Sequence, residues 1–126
     1  GLMLTGARPV YMVPTRNRYG IIGPIPPSEM DPKTIQAKAK AGPLTKDVAG
    51  QKPVYAVVTN STYDGLCCDV ERVVSTLGDI VPRLHFDEDA FSYAHVHPLY
   101  AGRHAMGVQS EAPDRPTLIA VQSPRR

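Results

Sequence analysis

No stretch of this sequence approaches the ~20 consecutive apolar residues that a membrane-spanning helix needs. The opening Gly1-Leu-Met-Leu-Thr-Gly6 has no basic segment leading into an apolar one, so no secretory signal is expected there. An excess of one charge is missing too. The 14 basic and 12 acidic residues are mixed along the chain and leave a net charge of +2. A field that weak argues against nucleic acid or an anionic membrane as partner. Cysteine is scarce, and the two present, Cys67 and Cys68, are adjacent. Vicinal cysteines rarely bridge each other, and two cannot build a disulfide scaffold, so a reducing cytoplasm is the natural setting.

Proline is what the chain has in excess. Its 13 prolines are about twice average usage. They cluster in segments 24–32, 43–53 and 113–124, which marks these as extended connections. Otherwise the composition is that of a folded protein, with 42% hydrophobic and 21% charged residues, and 126 residues suit a single domain.

Along the chain, Arg8–Val13 reads as a short strand ended by Pro14. Residues 14–30 form a Pro/Gly-rich loop, with Ile21 and Ile22 expected to tuck inward. Asp31 followed by Pro32 predicts a helix start, a capping side chain and then proline at the first helical position. That helix should run to about Ala41 and stop at Gly42, with a thin apolar stripe of Ile35 and alanines. Pro53–Thr59 is a nearly unbroken apolar run of the kind buried on both faces in a parallel sheet. A turn at Thr62–Gly65 leads to a helix over 66–77, where Leu66, Val70, Val73, Val74 and Leu77 follow the helical repeat. Arg83–Asp87 and Thr117–Gln122 complete the strands.

Strand–helix alternation of this kind predicts an α/β fold, a partial open and mainly parallel sheet with crossover helices. Buried parallel strands need helices on both faces, yet about four strands here have two helices, and the last strand is followed by nothing. The expectation is a sheet truncated at both ends, with unpaired edges and uncovered apolar faces.

Ligands of open α/β sheets bind beyond the carboxyl ends of the strands. Three predicted strands end in polar residues, at Thr59–Gly65, at His85–Glu88 and at Gln122-Ser123. Acids there can equally cap helices and turns, the plainer role for Asp64. Asp87 differs, because it follows Leu84 and Phe86 directly with no helix start behind it.

The same residues carry a family resemblance. Thr59-Asn-Ser-Thr-Tyr-Asp-Gly-Leu66, His85-Phe-Asp-Glu88, Tyr93-Ala94, Pro98-Leu-Tyr-Ala101 and Ala120-Val-Gln-Ser123 resemble the core of the bacterial ornithine/lysine/arginine decarboxylases. So do Thr5-Gly-Ala-Arg-Pro-Val-Tyr11 and Tyr19-Gly-Ile-Ile-Gly-Pro-Ile25. The likeness runs in order over nearly the whole chain. It implies that residues 1–126 are part of the cofactor-binding major domain of a pyridoxal 5'-phosphate enzyme with the aspartate-aminotransferase fold. The parent would be a homo-oligomer that decarboxylates a basic amino acid to a diamine or agmatine. By this resemblance Asp87 matches the aspartate that pairs with the cofactor's pyridinium nitrogen, and a carboxylate there keeps the ring able to accept electrons. Ser123 matches a serine that contacts the phosphate, His85 orients the strand end, and 59–65, with Thr62 and Asp64, form the pocket wall.

The departures are informative. The family follows its serine with Thr-His-Lys, the lysine forming a Schiff base with the cofactor. Here Pro124, Arg125 and Arg126 follow Ser123. Arg126 falls in the lysine register, and a guanidinium that stays protonated is a poor nucleophile. No catalytic residue is therefore assigned, and the chain alone is expected to be inactive. Asp89-Ala90 stands where the family has Ala-Trp, which changes the pocket's shape and charge. The family's phosphate loop and ring-stacking histidine have no counterpart in this sequence.

Other readings are weaker. His95 and His97, with His85 and His104 nearby, lack a third ligand at metal-site spacing, so no metal is expected. Cys67 and Cys68 are expected on the 66–77 helix, and Tyr55, Tyr63, Tyr93 and Tyr100 as packing residues with a hydrogen-bonded tip. The alternative to a decarboxylase segment is a non-catalytic remnant that associates through exposed sheet edges.

Overall fold

The structure, a computed structural model, describes residues 2–108 and 113–123. Arg126, which carries the expectation about the lysine register, lies outside the described residues. The chain divides into two compact units, Gly1–Lys52 and Pro53–Arg126.

The first unit opens with a single helical turn, α1 (Leu2–Thr5). Residues 8–13 are not the strand expected from their composition. Side chains, not a neighbouring strand, take up their backbone groups. Val13 N–H donates to Glu29 Oε2 at 2.6 Å, and the Tyr11 carbonyl accepts from Lys38 Nζ at 3.1 Å. Lys38 and Glu29 are themselves an ion pair. The Lys38 ammonium, followed by the Val13 N–H, holds the Glu29 carboxyl below its ordinary value.

Residues 15–24 fold back as a short hairpin. Its turn is fixed by the Asn17 side-chain oxygen, which accepts from the N–H groups of Tyr19 and Ile21 at 2.9 and 3.0 Å. Gly20 supplies the left-handed backbone (φ 82°) the turn requires. Ile21 and Ile22 are exposed, contrary to the expected inward tuck: the hairpin is held by its turn hydrogen bonds and not by burial of these side chains. Helix α2 (Pro32–Ala41) has the expected bounds. Asp31 Oδ2 accepts from Thr34 N at 3.0 Å, the N-terminal capping bond foreseen for it. At the far end a side chain on Gly42 would collide with Thr45 Oγ1. No residue of α2 is buried, as its thin apolar stripe implied.

The second unit holds the sheet. Strands β1 (Ala56–Thr59), β2 (Arg83–Asp87) and β3 (Thr117–Val121) are all parallel, in the order β1-β2-β3. This is the open parallel α/β arrangement expected, with three strands instead of about four. Helix α3 (Val70–Leu77) lies between β1 and β2 in the chain. It starts at Val70, four residues later than expected, because Asp69 caps it by accepting from Arg72 N at 3.1 Å. Cys67 and Cys68 therefore precede the helix instead of riding on it. From β2 to β3 the chain runs through short 3-10 turns at Ser92–Val96, Pro98–Tyr100 and Ala105–Gly107.

Strand alternation sorts the sheet's two faces. Val58, Leu84 and Phe86 are buried, together with Val70, Val73, Val74 and Leu77 of α3 and Phe91 and Ala94 of the following turn. Each such side chain contributes roughly 1.5–3 kcal/mol by leaving water. On the opposite face Val57 and Val121 are 49% and 44% exposed, so β1 is buried on one face and not on both. The uncovered apolar face foreseen from the count of helices is real.

Candidate functional site

The ladder register places Thr59, Asp87 and Val121 side by side as the last rung of the sheet. Asp87 is therefore at the carboxyl tip of the central strand. Because residues two apart share a face, it stands on the open side with His85, away from the Leu84 and Phe86 core. It is half-buried. Among the described residues its carboxylate has no hydrogen-bond or ion-pair partner.

His85 lies between Val57 and Ile119 on the same face. Its Nδ1 is hydrogen-bonded to the Tyr55 hydroxyl, which fixes the ring. Its Nε2 is buried and has no partner among the described residues. A buried ring nitrogen without a partner costs free energy unless something outside these residues engages it. Tyr55 thus acts on His85 and does not simply pack, whereas Tyr93 and Tyr100 do pack. They meet Phe91 edge-to-face at 5.5 and 5.3 Å.

The rung after Asp87 is turned inward, and sequence reasoning missed it. Asn60, Glu88 and Gln122 each directly follow the strand residues of the last rung. The Glu88 carboxylate is wholly buried and accepts three hydrogen bonds, each of 2.8 Å, from Asn60 Nδ2, the Ala105 N–H and Gln122 Nε2. Asn60 is also wholly buried. It donates to the Arg103 carbonyl at 2.8 Å and accepts from Cys68 N at 3.0 Å. Backbone bonds repeat the stitching, Asn60 N to the Asp87 carbonyl at 2.8 Å and Glu88 N to the Val121 carbonyl at 2.9 Å. Parity was the available signal. Leu84, Phe86 and Glu88 are spaced by two, so an inward-facing acid follows two core residues.

The remaining candidates are placed as follows. Ser123 follows β3, where its N–H donates to the Asp89 carbonyl at 3.3 Å and its carbonyl accepts from Ser92 Oγ at 3.5 Å. Thr62 closes the turn after β1, its hydroxyl accepting from Leu66 N at 3.2 Å and its carbonyl from Gly65 N at 2.9 Å. Asp64 is exposed on that turn and caps no helix; Asp69 does. Burial, and then the Glu88 charge, push the Cys68 thiol up to about 12, and burial raises Cys67 as well. His95 and His97 engage neighbouring backbone, at the Ser92 carbonyl and Leu99 N. Among the described residues no group of three or more His, Cys, Asp or Glu could hold a metal ion.

A carboxylate without a partner among the described residues can accept from a protonated donor, and the imidazole of His85, held by Tyr55, shares its face of the strand. Exposed valines flank both with apolar surface.

Comparison with known proteins gives this arrangement a family. The description Orn/Lys/Arg decarboxylase, major domain, matches residues 1–126. The chain is 55% identical over 123 residues to the biodegradative arginine decarboxylase of Escherichia coli, covering 98% of this chain and 16% of that protein. To a lysine decarboxylase of Pseudomonas aeruginosa it is 48% identical over 124 residues, 97% of this chain and 16% of the relative. The solved structure of the Escherichia coli constitutive lysine decarboxylase superposes with a TM-score of 0.77 at 38% identity, over 91% of this chain and 15% of that one. The chain thus spans about one-sixth of the length of these relatives. From the match over its whole length, this chain belongs to the Orn/Lys/Arg decarboxylase family.

Proposed function

We propose that these residues form the ring-nitrogen side of the cofactor site in a pyridoxal 5'-phosphate-dependent decarboxylase of arginine, lysine or ornithine. The observation that carries the reading is the Asp87 carboxylate, partnerless among the described residues at the tip of the central strand. The cofactor, when bound, supplies a ring that takes up the electron pair left as carbon dioxide departs. Asp87 holds the proton on the ring nitrogen through a charge-assisted hydrogen bond. Tyr55 holds His85, which shares that face of the central strand with Asp87. Ser123 is a phosphate contact in this reading, and Thr62 and Asp64 line the wall after β1. The domain assignment for 1–126, a cytoplasmic setting for the two free thiols, and a homo-oligomeric parent belong to the same proposal.

Arg126 stands in the register of the family's lysine, and its guanidinium does not form an imine at working pH. The 126 residues by themselves are therefore proposed to be inactive. Borohydride reduction of the purified chain with pyridoxal 5'-phosphate tests this, and a cofactor locked onto the chain together with diamine release would overturn it. For the full-length polypeptide, pyridoxal 5'-phosphate affinity is the assay, and Asp87→Ala should weaken it by about tenfold or more, the scale of one charge-assisted hydrogen bond.

The exposed Val57 and Val121 favour a second reading, association of a non-catalytic segment through its open sheet. Size-exclusion chromatography over a range of concentrations distinguishes it. A mass that stays monomeric throughout rules it out.

A further inference from the structure

We infer that Glu88 is a positioning residue, whose buried carboxylate sets the place of Asp87 by tying the tips of all three strands together. The inference rests on the reading of Asp87 given above and extends it to a residue on the other face of the sheet. Glu88 cannot itself touch a ring lying against the open face. Alternation turns it to the core side, and it is wholly enclosed.

Its partners explain what it does instead. Asp87 is flanked in the last rung by Thr59 and Val121. The next residue of each outer strand, Asn60 and Gln122, is bound to a different oxygen of the Glu88 carboxylate, and Ala105 N–H joins Asn60 on Oε1. Past this rung β1 runs on into the Thr62–Gly65 turn and β2 into the 3-10 turns of 92–107, while the Ser123 N–H reaches the Asp89 carbonyl only at 3.3 Å. Strand tips so lightly held would otherwise fray. One carboxylate holds all three chains at the point where Asp87 must stand still. The Asp87–Glu88 peptide is pinned on both sides, its carbonyl accepting from Asn60 N–H of the β1 end and its N–H donating to the Val121 carbonyl of β3. The inner rung therefore fixes the outer one. Removing the carboxylate takes away the acceptor of three N–H groups, with Asn60 keeping only its bond to the Arg103 carbonyl, which drives this largely buried rung apart.

A double-mutant cycle on the full chain tests the inference, with pyridoxal 5'-phosphate affinity and melting temperature read in parallel. Glu88→Ala should weaken cofactor binding about tenfold, and in an Asp87→Ala background the same change should weaken it no further. Glu88→Gln should restore affinity to within about threefold. Its amide oxygen still serves Asn60 and Ala105, and Gln122 can turn its own oxygen toward the new amide. Losses that multiply in the double variant, or a lowered melting temperature with unchanged affinity, overturn the positioning role and leave Asp87 untouched. If Asp87→Ala alone binds like the native chain, the cofactor reading itself falls, and this inference with it. Should Glu88→Ala fail to fold, Asn60→Ala and Gln122→Ala each remove one donor and carry the same cycle.

Discussion

The two units of the chain are held by different means. Residues 53–123 are organised by apolar burial, with Val58, Leu84 and Phe86 of the sheet and four residues of α3 withdrawn from water. Residues 2–52 rely on polar capture. Their one longer helix buries nothing, and the extended segment 8–13 is held through Lys38 and Glu29. Apolar periodicity therefore says much about the second unit and little about the first, where single side chains decide the path.

The largest expected effect separates the units most sharply. Phe86→Ala should cost about 3–5 kcal/mol in urea unfolding, because a fully buried aromatic leaves a cavity at the sheet's centre. Ile35→Ala on half-exposed α2 should cost under about 1 kcal/mol. Equal losses at the two positions would erase the contrast.

Alkaline pH acts on the second unit next. The Cys68 thiol is raised from 9.0 to about 12, so the unfolded chain ionises it before the folded one does. Stability is full below the unfolded value and is lost as pH rises through the folded one, by roughly 2 kcal/mol near pH ~11. Cys68→Ser should flatten that decline in a pH series of melting temperatures.

Both units should respond alike to loss of a helix cap. Asp31→Ala and Asp69→Ala each remove one bond to a helical N–H and should cost about 1 kcal/mol. Hydrogen exchange at Thr34 and Arg72 would register the fraying. The smallest effect is acid sensitivity in the first unit. Glu29 is lowered by Lys38, so its contribution is present above the ordinary carboxylate range and is lost as pH falls through its folded value. Lys38→Met should weaken that dependence, leaving the smaller lowering by the Val13 N–H, at a half-buried pair where solvent still screens part of the gain.

Where local chemistry and tertiary packing agreed, the sequence was legible. Asp31-Pro32 and Gly42 marked α2 to the residue, and Arg83–Asp87 was the strand expected. Residues 8–13 misled because β-forming composition says nothing about whether a strand partner or a lysine claims the backbone. Leu66 misled because it continues the helical repeat of α3 while Asp69, three residues on, caps the helix. At the site, Asp87 was conspicuous as an acid at the end of an apolar strand. Its neighbour Glu88 stood out only as one of the polar residues closing that strand, although strand parity turns it inward. The His85 ring is held by its hydrogen bond with Tyr55, 30 residues away in sequence, and no local pattern announces that its Nε2 is left without a partner among the described residues.

The central claim is that Asp87 keeps a cofactor ring nitrogen protonated. Magnetic resonance of pyridoxal 5'-phosphate isotopically labelled at that nitrogen, bound to the full-length polypeptide, tests it most directly. The native protein should show the protonated-nitrogen shift at neutral pH, and Asp87→Ala should move it to the deprotonated value. The same shift in both proteins would contradict the account.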